Sequence, residues 1–305
     1  AAVDYKHDQF KLGAEYSGER LTLGAGYYLS QFSNSKESIF TDDGTDTALV
    51  ALEPDNRFGR FEIDGSYRLG DRTHLGWVVN WSKAEQDEAF IGSTTPGAKQ
   101  NAEVNRFNGR VTLTSRPSRN FNYRLEYAVR DREADHNPLD LDLLGYNRRD
   151  TRVFDKEQDT FKAEGGYRFS NRSKLRFGYE YEEIERTNKT TLAWQPDYAK
   201  TVDETEENTL WAEYKFPRFG NLNLSLKAET SERDGGQDQF PEWIAVYNAD
   251  RDRDKYTVNA SYIFSEKAVA SARLSSTNDD YDVGDYTVIE GGTVRDPYGM
   301  KSREW

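Results

Sequence analysis

Between Phe10 and Leu29 apolar and polar residues alternate. Phe10, Leu12, Ala14 and Tyr16 are separated by Lys11, Gly13 and Glu15. After SGER the pattern resumes with Leu21, Leu23, Ala25, Tyr27 and Leu29, interleaved with Thr22, Gly24 and Gly26. A period of two is that of a β-strand, whose side chains point to opposite faces in turn. The segment therefore predicts a hairpin with one apolar and one polar face. The pattern recurs five times. Phe61 to Leu69 leads through GDRT to Leu75, Trp77, Val79 and Trp81. Phe107 to Leu113 leads through SRPSRN to Phe121, Tyr123, Leu125, Tyr127 and Val129. Phe161 to Phe169 leads through SNRS to Leu175, Phe177, Tyr179 and Tyr181. Leu210 to Phe216 leads through PRFGN to Leu222, Leu224, Leu226 and Ala228. Tyr256 to Phe264 leads through SEKA to a weaker strand with Ala270, Ala272 and Leu274.

These six hairpins turn near residues 18, 71, 118, 172, 219 and 266, a period of about 50 that marks a repeat architecture. Long polar stretches separate them, at 30–57, 82–104, 131–159, 184–208 and 230–254. Short turns at one end and long loops at the other are the asymmetry of outer-membrane barrels. Strands of about ten residues suit a bilayer, whereas sandwich strands are nearer five or six. A β-propeller would show four shorter strands per period. The expected fold is all-β: a transmembrane antiparallel up-and-down β-barrel, or a large arc of one, with at least 12 strands in a single domain over residues 1–305.

The aromatics agree with this reading. Tyr16, Tyr67, Tyr167, Tyr214 and Tyr262 fall on the apolar face near the short turns, and Trp81, Tyr127 and Tyr181 near the opposite strand ends. Two such belts border the apolar band of a membrane barrel. The other face would line a lumen. Its cations are Lys11, Arg60, Arg68, Arg106, Arg110, Arg124, Arg130, Arg168, Arg176, Lys215 and Lys227, interspersed with acids such as Glu15, Glu62, Asp64, Glu126, Glu164, Glu180, Glu213 and Glu229. Charges of both signs do not make a dry core. They suit a water-filled channel or a protein surface. Gly13, Gly24, Gly26 and Gly178 on this face would relieve strand curvature or leave room for a large neighbour.

Composition narrows the chemistry. The 305 residues contain no cysteine, so no disulfide, haem-attachment motif or cysteine metal site exists in this chain, and any haem would be carried by a partner. His7, His74 and His136 are too scattered to suggest a ligand set. Asp and Glu number 54 against 41 Lys and Arg, which argues against nucleic acid as a partner. Mean hydropathy is −0.94, yet the 13% aromatic content argues against disorder. The longest apolar runs, such as Ala48 to Leu52, are too short for a membrane helix. No signal sequence opens the chain, so one has been removed or the chain is part of a longer one. No hydrolase, zinc-protease, P-loop or dinucleotide motif occurs, and no enzyme activity is expected. The long loops are acidic, with TDDGTD, EQDE, DREAD, VDETEEN, NADRDRD and NDDYD. They read as solvated loops, as divalent-cation sites near lipopolysaccharide, or as a docking face. None matches a calcium loop, and no metal site is assigned.

Three segments carry a family resemblance: LEPDNRFGRFEIDGSYRLGDRTHLGWVVNWSKAEQDEAF (52–90), FKAEGGYRFSNRSKLRFGYEYEEIERT (161–187), and VDETEENTLWAEYKF (202–216) followed by LNLSLKAETSERDGG (222–236). In this order they resemble the MtrB/PioB family of decahaem-associated outer-membrane β-barrels. The resemblance implies a Gram-negative outer-membrane barrel without a redox group of its own. It would sheathe a periplasmic multihaem c-type cytochrome, so that electrons pass along the partner's haems between periplasm and exterior. In the iron-reducing branch an outer-surface multihaem cytochrome docks externally, here at the long loops. Family barrels have about twice the strands counted here, and some carry a Cys-x-x-Cys near the mature N-terminus that this chain lacks. Both departures imply part of a longer barrel. Two other readings stay open on the residues alone: a passive porin and a soluble all-β binding protein.

Overall fold

The computed structural model describes residues 4–36, 38–42, 47–86, 101–135, 154–188, 203–235, 250–282, 288–290, 293–295 and 301–304. Six long hairpins form the wall. They are β1 (Tyr5–Ser17) with β2 (Leu21–Asn34), β5 (Asn56–Gly70) with β6 (Thr73–Gln86), and β7 (Ala102–Ser115) with β8 (Phe121–Asp135). Then follow β9 (Phe154–Arg168) with β10 (Lys174–Asn188), β11 (Glu204–Lys215) with β12 (Leu222–Asp234), and β13 (Asp250–Ser265) with β14 (Ala268–Asp282). A small hairpin, β3 (Ser38–Asp42) and β4 (Thr47–Ala51), lies in the first long connection. Three short strands close the chain: β15 (Val288–Glu290), β16 (Thr293–Arg295) and β17 (Lys301–Glu304). Each long strand pairs antiparallel with its sequence neighbours in one meander, and β17 adds four residues to the edge at β14. β1 pairs only with β2, so the sheet is an open arc.

The strands run 12 to 16 residues, longer than the ten expected from the apolar alternation. The extra residues lie at the loop ends, where DREAD, VDETEEN and NDDYD continue the strands instead of forming loops. Apolar alternation stops where the hydrocarbon would stop, but the backbone ladder continues into water. The loop tips 87–100, 136–153, 189–202 and 236–249, with most of the remaining acidic runs and His136, lie outside the described residues.

This sheet has no core. Ala134 is the one buried hydrophobic side chain among the described residues. Phe10, Leu12, Tyr16, Val111, Leu210 and Leu274 are 45–67% exposed on one face. A soluble sandwich would bury that face against a second sheet. Among the described residues nothing covers it, and lipid supplies the missing apolar phase.

The turn between β9 and β10 shows how a short connection is fixed. The Asn171 Oδ1 accepts from the Ser173 amide at 3.0 Å and from its hydroxyl at 2.7 Å, and Ser173 is fully buried. This Asx turn leaves Arg172 at φ 70°, an uncommon region for a side chain other than glycine. Asn171→Ala removes both bonds and strands a buried hydroxyl. It is expected to lower stability by about 2 kcal/mol, read as a shift of the urea midpoint in refolded protein.

Candidate functional site

Residues directly opposite one another in neighbouring strands share a face. One unbroken rung therefore fixes the polar face across the whole wall: Glu15, Gly24, Asp64, Val78, Arg110, Ala128, Thr160, Glu182, Glu207, Arg233, Arg251 and Tyr281. The lumen candidates all lie on this face. A cavity of about 590 Å³ rests against it, lined by Glu164, Arg176, Glu180, Trp211, Lys227, Arg273 and neighbours on the same face, and another lies on the outward face against Tyr27, Phe61, Trp81 and Phe107.

The charges are ordered. In the middle of the wall they compensate one another. Arg124 meets Glu126 at 2.5 Å, Lys162 meets Glu180 at 2.7 Å, Arg176 meets Glu213 at 3.3 Å, and Lys227 pairs with Glu229. Arg176 and Lys227 also sit over the Trp211 ring, at 5.4 and 5.1 Å from its centroid. Two other rungs carry one sign only. The first runs Lys11, Tyr28, Arg60, Ser82, Arg106, Arg132, Lys156 and Arg186, from β1 to β10. The second runs Arg168, Lys174, Lys215, Ser225, Asn259 and Arg273, from β9 to β14. Lys11 also lies over the Tyr28 ring at 5.4 Å. Arg130 stands between Asn108 and Gln158, and Arg68 opposite His74.

Sequence reasoning missed Arg132, Lys156, Arg186, Arg251 and Arg253, because their segments read as loops. Continuing the strand parity past the last apolar residue would have found them. Arg251 bonds Glu207 at 2.6 Å, and Arg253 grips Asp279 through two bonds at 2.5 and 2.8 Å. Glu207 and Asp279 share that face, while other acids of the same strand ends take the outward one. Glu183, Glu204 and Glu206 converge there within 4.8 Å of one another.

The lumen glycines divide. A Cβ on Gly178 would stand 2.5 Å from the Trp211 ring opposite it, so the chain's own indole fills that space and no external neighbour is needed. Gly13 and Gly26 meet only backbone oxygens, at 3.6 and 3.9 Å, and remain open. The outward pairs Gly65–Trp77 and Gly165–Phe177 repeat the glycine–aromatic fit across strands. Gly178→Val is expected to displace Trp211 into the lumen, seen as a red shift and greater quenching of its fluorescence.

The outward face carries tyrosines near the turns. Tyr16, Tyr67, Tyr167 and Tyr262 are exposed, while Tyr214 is half-buried between Phe169 and Phe216. A recurrent Tyr-x-Phe edge pair was not anticipated: Tyr167–Phe169, Tyr214–Phe216 and Tyr262–Phe264 pack at 4.8–4.9 Å between centroids. At the other end Trp81 stacks between Phe61 and Phe107, Tyr127 donates to Asp159, and Tyr181 donates to Glu183 at 3.0 Å.

Residues 1–291 match the family model described as outer membrane beta-barrel porin, MtrB/PioB. The chain belongs to the MtrB/PioB family. A curated relative, the outer membrane protein MtrB of Shewanella baltica, is 23% identical over 92% of this chain and 42% of its own length. The chain thus spans less than half of that MtrB. Among solved structures, a mutant of the ferric enterobactin receptor PfeA of Pseudomonas aeruginosa is similar at a TM-score of 0.59 and 13% identity, over 91% of this chain and 41% of the receptor. The outer membrane transporter YddB of Escherichia coli gives 0.56 and 11%, over 91% and 47%. As an MtrB/PioB barrel the chain resides in the Gram-negative outer membrane, and its apolar face meets outer-membrane lipid.

Proposed function

We propose that this MtrB/PioB wall sheathes and positions a periplasmic multihaem c-type cytochrome, so that electrons cross the outer membrane along the partner's haems. The observation that carries the reading is the open arc. Among the described residues twelve long strands run in one sheet without β1 pairing with β14, so they do not close a twelve-stranded barrel, and a barrel completed by further strands would enclose a wider space. Its inward face carries charges of both signs along its length, as suits a face against protein and water. No haem ligand set is visible in the sequence, so the haems belong to the partner, and an outer-surface multihaem cytochrome would meet the loop end. This chain's contribution is insulation and placement: lipid outside, a hydrated charged wall inside. The candidate contacts are Lys11, Glu15, Arg60, Arg68, Arg106, Arg110, Arg124, Arg130, Arg168, Arg176, Lys215 and Lys227.

The second reading, a passive channel, is favoured by the same hydrated wall and by the family's porin description. One purification separates them. The full polypeptide extracted in mild detergent from its native membrane is expected to carry a stoichiometric c-type haem absorbance band. Ion conductance in planar bilayers with no haem retained would instead establish the porin.

A further inference from the structure

We propose that the second single-sign rung, Arg168, Lys174, Lys215 and Arg273, is a docking stripe for an acidic protein surface inside the barrel. The inference rests on the sheath reading and adds to it the sign and place of the contact. Arg168, Lys174 and Lys215 are directly opposite one another on three successive strands, and all three are exposed. Like charges so placed destabilise a sheet that has nothing to offset them. In the middle of the wall the same fold offsets Arg124, Lys162, Arg176 and Lys227 with neighbouring carboxylates. On this rung the intervening residues are Ser225 and Asn259, and its ion pair is Lys215 with Glu213 at 3.5 Å, a carboxylate already shared with Arg176. Arg168 and Lys174 have no ion-pair partner among the described residues.

The stripe is local. The chain as a whole carries a net charge of −13, so the cations are gathered on this face against the overall balance. The rung from Lys11 to Arg186 runs parallel with the same sign. From Arg168 to Arg273 it crosses five strand spacings, about 24 Å at the usual separation of hydrogen-bonded strands. That is wider than a small anion can bridge, so a macromolecular face of clustered Asp and Glu is the occupant that contacts all of it.

The experiment compares the full polypeptide with R168E/K174E/K215E, and with the charge-neutral swap K162E/E180K, at an ion pair outside the stripe. Two readouts are taken: haem retained through purification, and binding of fluorescent poly-L-glutamate. The reversal is expected to weaken poly-L-glutamate at least tenfold and to release haem at lower salt, with the swap close to the parent. If the reversal impairs folding, judged by heat-modifiable migration, R168Q/K174Q/K215Q is expected to show the same loss at smaller size. Equal haem retention by parent and reversal, with equal poly-L-glutamate binding, overturns the stripe and leaves the sheath standing. A parent without haem, whose poly-L-glutamate binding is nonetheless lost on reversal, removes the sheath and keeps the stripe. A reversal that changes only chloride over potassium selectivity, with poly-L-glutamate unaffected, overturns it in favour of a small-anion path.

Discussion

Leu125→Arg is expected to cost the barrel about 2–4 kcal/mol, the penalty for a guanidinium at the middle of the lipid-facing band. Leu125 lies at the centre of the apolar run of β8, is 37% exposed, and is flanked by Leu113 on one neighbour and Ala163 on the other. None of these can pair a charge. Its chain neighbour Arg124 points to the opposite face and meets Glu126 at 2.5 Å. Arg124→Leu therefore removes one partly hydrated ion pair, and Glu126 keeps the Thr112 hydroxyl at 3.3 Å. That loss is expected to stay below about 1 kcal/mol. Urea midpoints of the two variants, refolded into phospholipid bilayers, read the difference. Equal losses would mean that the outward face does not meet hydrocarbon.

The same pair of adjacent residues shows what the sequence made legible. Period-two alternation assigned Leu125 and Arg124 to opposite faces, and the register carries that assignment across all twelve long strands. Within the bilayer each residue must satisfy one of two different solvents, so its polarity reports its face. Beyond the hydrocarbon both faces are wet, and polarity no longer distinguishes them. This is why Arg132, Lys156 and Arg186 read as loop residues, and why the acids Glu204 and Glu206 read as loop residues too. Rungs were hidden for a different reason. A rung depends on register between strands about 20 to 50 residues apart, and register follows from turn geometry that no single strand contains. The fit of Trp211 over Gly178 has the same origin, since the two are 33 positions apart in the sequence yet directly opposite in the sheet. Enzymatic function and cofactor content were read only from missing motifs.

Reversing Arg106, Arg110 and Arg124 together is expected to lower the amount of haem protein retained by the full-length barrel about tenfold at low salt. Arg106 belongs to the rung that begins at Lys11, where Arg132 stands directly opposite it. Arg110 lies between Val78 and Ala128, with no carboxylate beside it on its rung. Arg124 is the one of the three already offset within the wall. An exposed charge contact contributes about 0.2–1 kcal/mol, and reversal converts attraction into repulsion. Three such changes sum to a few kcal/mol, and about 1.4 kcal/mol is a factor of ten in affinity. The effect must fade as ionic strength rises, because the screening length falls to about 3 Å at 1 M salt. A variant that swaps Lys162 and Glu180 keeps the local pair and the net charge, and is expected to retain haem as the parent does. Loss of retention in the swap equal to that in the triple reversal would attribute the effect to wall distortion. Unchanged retention in the triple reversal at low salt would show that these three guanidiniums do not face the partner.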